Sequence, residues 1–160
     1  MNKYIGKYRI ILIETKNDTN DDYLKALDKL PKYKEEFDKL GTIIIPAYSN
    51  KFSISLYGMD GYIKYRSEQF TSWNVLIRLI NNMEMQRYII DFIKLDKNIG
   101  YDNKQMANYT LTLLKNELIQ VKFLVITTLY NEAKYSRNKT LGMRDAIKIY
   151  KNWLNDYDSR

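Results

Sequence analysis

The chain has 160 residues, of which 45% are hydrophobic and 28% charged, an ordinary globular composition at the size of one typical domain. Cysteine and histidine are both absent, which excludes disulfides, zinc-finger chemistry, iron–sulfur clusters, cysteine nucleophiles and every mechanism that turns on an imidazole. What stands above background is a net charge of +7 and 15 tyrosines. A chain this long buries roughly 68–70% of its unfolded surface, enough for a core without a metal or cross-link, so the expectation is a single domain over residues 1–160 with no cofactor.

The chain ends direct the compartment reading. Lys3, Lys7 and Arg9 precede an apolar run, Ile10 to Ile13, too short for a secretory segment. The longest apolar stretch, Leu118 to Tyr130, is interrupted by Gln120, Lys122, Thr127 and Thr128 and falls short of the roughly 20 residues a bilayer span needs. A cytoplasmic protein with no membrane partner is expected. The basic excess sits at the ends: residues 1–16 carry four bases and one acid, residues 132–160 seven bases and four acids, while residues 17–41 carry seven acids and five bases.

In chain order, Tyr8 to Thr15 is β-branched and aromatic and predicts a central strand buried on both faces. Asn17 to Asp22 is a turn cluster able to cap a helix. Leu24, Leu27 and Leu30 follow at helical spacing until Pro31, which either interrupts that helix or starts a second one over Lys32 to Leu40, ended by Gly41. Thr42 to Tyr48 predicts a strand that Pro46 pushes to a sheet edge or a bulge. Phe52, Ile54 and Leu56 alternate with Ser53 and Ser55, the pattern of a strand with one buried face. Gly58-Met59-Asp60-Gly61 is a tight turn, and Tyr62 to Arg66 returns as its partner. These four strands are expected to form a small antiparallel sheet.

Beyond Phe70 the period is helical. Ser72 caps a predicted helix carrying Val75, Leu76, Leu79, Ile80, Met83, Tyr88 and Ile89 on one stripe, with Arg78 and Arg87 turned away and Gly100 at its end. Asp102 opens a further stripe through Met106, Tyr109, Leu113, Leu114, Leu118, Val121 and Val125. Its second half is apolar nearly all round, as in a central helix, although the β-branched residues at 121–129 also permit a strand. Met143, Ala146, Ile147, Tyr150, Trp153, Leu154 and Tyr157 define an amphipathic last helix with Arg144, Lys148 and Lys151 outside. Strands first and helices after predict an α+β fold, the sheet packed on three or four C-terminal helices.

Candidate chemistry is sparse. Glu132-Ala133-Lys134 has the acid-x-lysine spacing of Mg²⁺ nucleases, which present it at a strand end beside a second carboxylate such as Asp96 or Asp102. On a helix the triplet is a solvated end. Glu35, Glu36 and Asp38 alternate with Lys32, Lys34 and Lys39, as expected of an exposed helix face with intrahelical pairs. No glycine-rich loop leads into a helix with lysine and hydroxyl, so a phosphate-binding loop is absent. Neither catalytic nor metal-ligating residues are therefore assigned.

Tyrosine and basic residues interleave twice. Tyr57, Tyr62, Lys64, Tyr65 and Arg66 lie on the predicted hairpin, where strict alternation puts Tyr62 with Lys64 on one face and Tyr65 with Ile63 on the other. One face then offers a stacking platform for single-stranded nucleic acid, unless these rings fill the core. Lys134, Tyr135, Arg137, Lys139, Arg144, Lys148, Tyr150 and Lys151 form a second group, suited to phosphates or to an acidic protein groove.

Dense in Tyr, Asn, Ile and Lys and poor in Pro, Gly and Ala, the chain resembles the small proteins encoded by phages and mobile elements of AT-rich Gram-positive bacteria. Among these, a single-domain protein without catalytic motifs looks like a host-factor inhibitor of the anti-CRISPR type that blocks Cas9. The resemblance implies a non-enzymatic interaction protein that binds a nucleic-acid-processing enzyme or ribonucleoprotein. The net charge of +7 argues against the inhibitors that mimic DNA with acidic surfaces. A direct nucleic-acid-binding module is the alternative reading, and a Mg²⁺ nuclease a third.

Overall fold

The structure is a computed structural model that describes residues 2–159. The chain divides into two compact units, Met1–Ile80 and Asn81–Arg160. All four strands lie in the first, and the second is helical, giving the α+β class.

In the first unit a 3-10 turn precedes β1 (Arg9–Thr15), followed by α1 (Asp21–Lys39), β2 (Thr42–Tyr48), β3 (Ser53–Tyr57), β4 (Ile63–Ser67) and α2 (Trp73–Asn81). The sheet order is β2-β1-β3-β4, so β1 is internal, as its apolar sequence requires, and β2 with Pro46 is an edge. The expected all-antiparallel sheet is corrected at one pairing. β1 and β2 run parallel, Ile11 opposite Ile44, while β1–β3 and β3–β4 are antiparallel. The reason is the connection: a 19-residue helix between the strands returns the chain to its starting end, which is a crossover rather than a hairpin.

That helix is continuous through Pro31, contrary to the interruption expected there. Proline lacks the N–H for one i→i−4 bond, but both ends of α1 are firmly closed. Asn20 Oδ1 accepts from the Tyr23 N–H at 3.0 Å. Gly41, at φ +58°, donates to the Asp38 carbonyl at 3.1 Å, a left-handed termination that suits glycine. Across the helix Ala26 and Phe37 are buried, whereas Leu24 and Leu27 of the leucine spacing are exposed. The Trp73 indole N–H donates to the Ala26 carbonyl at 3.0 Å and its ring meets Phe37 edge-on, fixing α2 against α1.

The β3 strand departs from one-sided burial, because Ser53 and Ser55 are as buried as Ile54 and Leu56. As an inner strand it is paired on both edges, and the small Ser55 lies between the larger Leu12 and Arg66 in the register. Strict alternation also fails on β4. Tyr57 pairs with Ile63 but Leu56 with Tyr65, so Lys64 is the extra residue of a β-bulge. Ile63 and Tyr65 consequently fall on opposite faces rather than together.

The second unit comprises α3 (Glu84–Lys94), α4 (Lys104–Leu113), a 3-10 turn at Leu114–Asn116, α5 (Ile119–Tyr135) and α6 (Leu141–Asp158). The single helix expected from Ser72 toward Gly100 is broken. Ser72 does cap α2, its Oγ accepting from the Val75 N–H at 3.4 Å. Asn81 and Asn82, whose amides compete with the backbone, then end that helix, and Met83 is extended (φ −67°, ψ 139°) before α3 begins. α3 stops at Lys94 because Asp96 caps a turn through the Asn98 N–H, well before Gly100. Asn103, not Asp102, caps α4, accepting from the Met106 N–H at 2.9 Å.

The stripe from Met106 to Val125 likewise spans two helices, separated where Glu117 and Leu118 are extended. Residues 121–129 are helical, and α5 buries Val121, Phe123, Leu124, Val125, Ile126 and Leu129, as a central helix does. α6 has the expected amphipathic form, with Met143, Ala146 and Tyr150 buried and Arg144, Lys148 and Lys151 exposed. Gly142 at its start lies so close to the Asp102 carbonyl that a Cβ there would approach it to 2.5 Å. Among the described residues, no helix is long and apolar enough to cross a membrane.

Candidate functional site

The two tyrosine-basic groups lie in different units and differ in electrostatics. On the hairpin, Tyr57 and Tyr65 are half-buried, while Tyr62 is 72% and Ile63 48% exposed. The turn that presents them is tightly built. Gly58 donates to the Tyr62 carbonyl at 2.9 Å and Gly61, at φ +79°, donates to the Gly58 carbonyl at 3.0 Å. Asp60 Oδ1 accepts from the Tyr62 N–H at 3.1 Å and Asp60 Oδ2 from Lys64 Nζ at 2.5 Å.

Every cation of this hairpin has a carboxylate partner. Lys64 pairs with Asp60, Lys51 with Glu68, and Arg66 Nη2 lies 3.7 Å from Glu14 Oε2, which also accepts from Ser53 Oγ at 2.6 Å. Partial burial would raise the Asp60 carboxyl pKa, yet the Lys64 hydrogen bond and charge hold it below the usual carboxylate range. The Lys51 hydrogen bond holds Glu68 down in the same way. Exposed pairs of this kind contribute little to stability. Their larger effect is to cancel the local field, leaving the exposed Tyr62 and Ile63 as the distinctive groups.

The C-terminal group is different. Lys134, Arg137, Lys139, Arg144, Lys148 and Lys151 are all exposed, along the α5–α6 loop and the outward side of α6. The same span contains one acid, Asp145, 3.8 Å from Lys148. Arg144, Lys148 and Lys151 are spaced four and three apart on one helical face. Lys134 Nζ sits 4.9 Å from the Tyr135 ring centroid and 5.8 Å from that of Tyr130, cation–π contacts at the end of α5. Tyr150 leaves this group: it is fully buried, and its hydroxyl donates to the Gly100 carbonyl at 2.6 Å. Its place in the α6 repeat puts it on the inward face, opposite the cations.

The acidic cluster of α1 forms the intrahelical pairs its spacing suggests, Lys39–Glu35 at 2.8 Å and Lys34–Asp38 at 3.4 Å. Glu132 and Lys134 lie in the last turn of α5 and not at a strand end. No group of three His, Cys, Asp or Glu side chains that could hold a metal occurs among the described residues. A feature the sequence reading did not identify is a cleft of about 300 Å³ lined by Thr15, Asp18, Tyr23, Pro46, Ala47 and Tyr48. Its residues come from three separate stretches, and only the β1–α1–β2 crossover brings them together. No protein family, no curated protein and no solved structure matches this chain.

Proposed function

We propose that the protein works by binding rather than by catalysis, as an interaction protein that occupies and inhibits a nucleic-acid-processing partner. The observation that supports this reading is the hairpin tip, where Tyr62 and Ile63 are exposed between cations already neutralised by Asp60, Glu68 and Glu14. An exposed aromatic and aliphatic pair without net local charge suits a protein surface, where tyrosine is favoured at the centre, better than a phosphate backbone. The compositional likeness to mobile-element inhibitors makes a ribonucleoprotein nuclease of the Cas9 kind the first partner to try.

A second reading, direct nucleic-acid binding, is favoured by the C-terminal cations, six bases against one acid over residues 134–151. A pull-down with the tagged chain from lysate of its source cell, with and without nuclease treatment, tests both. Retention of a stoichiometric protein, lost on Tyr62→Ser with Ile63→Ser, is the expected result. Recovery of nucleic acid alone, abolished by nuclease and by Arg144→Glu with Lys151→Glu, would replace the first reading with the second. In that case log K should fall with log salt at a slope of about 0.9 per phosphate contacted.

A further inference from the structure

The cleft at the carboxyl ends of β1 and β2 has a chemistry opposite to that of the protein around it. Tyr48, 82% exposed, ends β2 opposite Thr15, the last residue of β1. Tyr23 comes from the first turn of α1, where its N–H is held by Asn20. Asp18 lies in the turn between β1 and α1, and no hydrogen bond or ion pair with a described residue engages its carboxylate. Pro46 and Ala47 complete the lining with apolar surface.

In a chain of net charge +7, residues 14–23 carry four carboxylates; Glu14 is engaged by Arg66 and Ser53 and Asp22 lies 3.8 Å from Lys25, which leaves Asp18 and Asp21 beside the single ammonium of Lys16. Two phenol rings, one unengaged carboxylate and an apolar wall are the components that hold an organic cation: ring faces attract it, and the carboxylate supplies the counter-charge. A bare ammonium is strongly hydrated and loses water at a cost, whereas an alkylated one is bulkier, sheds water more readily and fills an apolar lining. At about 300 Å³ the cleft stands at the lower end of small-molecule sites, the size of a headgroup rather than a nucleotide. We propose that the Asp18–Tyr23–Tyr48 cleft binds an alkylated ammonium group.

The test is a ¹H–¹⁵N NMR titration of the full chain with tetramethylammonium chloride, at ionic strength matched with sodium chloride. A parallel titration uses neopentyl alcohol, a neutral molecule of similar shape. The expected result is saturable shifts confined to the amides of residues 15–23, 47 and 48, with the cation binding at least about fivefold tighter than the alcohol. Asp18→Asn and Tyr48→Ala alter exposed side chains, and their spectra report folding in the same experiment; each should weaken the cation at least about fivefold. Absence of saturable shifts at the cleft, equal binding of the alcohol, or unchanged affinity in both variants would overturn the proposal. Titrations with a short peptide bearing trimethyl-lysine and with choline then separate a protein side chain from a free small-molecule quaternary ammonium as the source of the group.

Discussion

The guanidinium of Arg9, at the first residue of β1, donates a 2.6 Å hydrogen bond from Nη1 to the carbonyl of Leu40, just past the end of α1. Arg9 is 1% exposed, and burial pulls its pKa well below the ordinary guanidinium value, to about 10, still far enough above neutral to keep it charged. It therefore joins strand to helix from inside, and is not available to the basic N-terminal surface. Arg9→Ala should cost about 3 kcal/mol in urea unfolding, through a large void and the loss of the shorter of two hydrogen bonds to the Leu40 carbonyl, which would keep only the Thr42 hydroxyl at 3.3 Å. Arg9→Met, which fills the space without a buried charge, should cost less than half of that.

Two neighbouring serines on β3 should respond oppositely to the same change. Ser55 is fully buried and its hydroxyl has no hydrogen-bond partner. Removing it in Ser55→Ala should leave stability unchanged or raise it by up to about 1 kcal/mol. Ser53 donates to Glu14 at 2.6 Å, so Ser53→Ala should lower stability by about 1–2 kcal/mol. Equal losses in denaturant midpoint would contradict the account given for this strand.

Pro31 is exposed in the interior of α1, where an alanine would restore the missing backbone bond. Pro31→Ala should stabilise the protein by about 2 kcal/mol, the helix-propensity gain less the greater freedom of the unfolded chain. The thermal midpoint should rise by several degrees. A drop would mean that the proline bends α1 into a required path.

Burial raises the Tyr150 phenol to about 12 from its ordinary 10. A folded pKa above the unfolded one means that its stabilisation is complete below pH 10 and is lost as pH rises from about 10 to 12, some 2–3 kcal/mol in all. In the 295 nm titration of the folded protein, the last phenolate to appear should be missing from Tyr150→Phe. That variant should also show a flatter decline of stability over the same pH interval.

The elements most legible in the sequence are those whose signals are local. The apolar run of β1, the Gly58–Gly61 turn and the period of α6 each specify their own conformation from adjacent residues. The misjudged features depend on distant partners or on brief interruptions. A run such as Ser72 to Ile89 keeps its stripe in phase across the asparagine break, so periodicity passes over it. The burial of Arg9, Ser53, Ser55 and Tyr150 is set by which strands and helices flank them, which composition does not encode. The hairpin and C-terminal groups were visible as clusters of residue types. That one is neutralised by Asp60, Glu68 and Glu14, and the other is not, emerges only when the chain is folded. The convergence of Tyr23 with Tyr48 follows from a parallel crossover that strand patterns alone do not distinguish from a hairpin.

Pro46 on β2 and the Lys64 bulge on β4 occupy the two outer strands of the sheet. A proline offers no amide to an incoming strand, and a bulge beside a lysine twists the opposite rim out of register with any flat neighbour. Sheet growth is thus blocked at both rims, so four strands are a final number rather than a seed. Both outer strands are in consequence poor templates for a strand from a second copy of the chain, a protection that resides in one proline and one bulge rather than in the core.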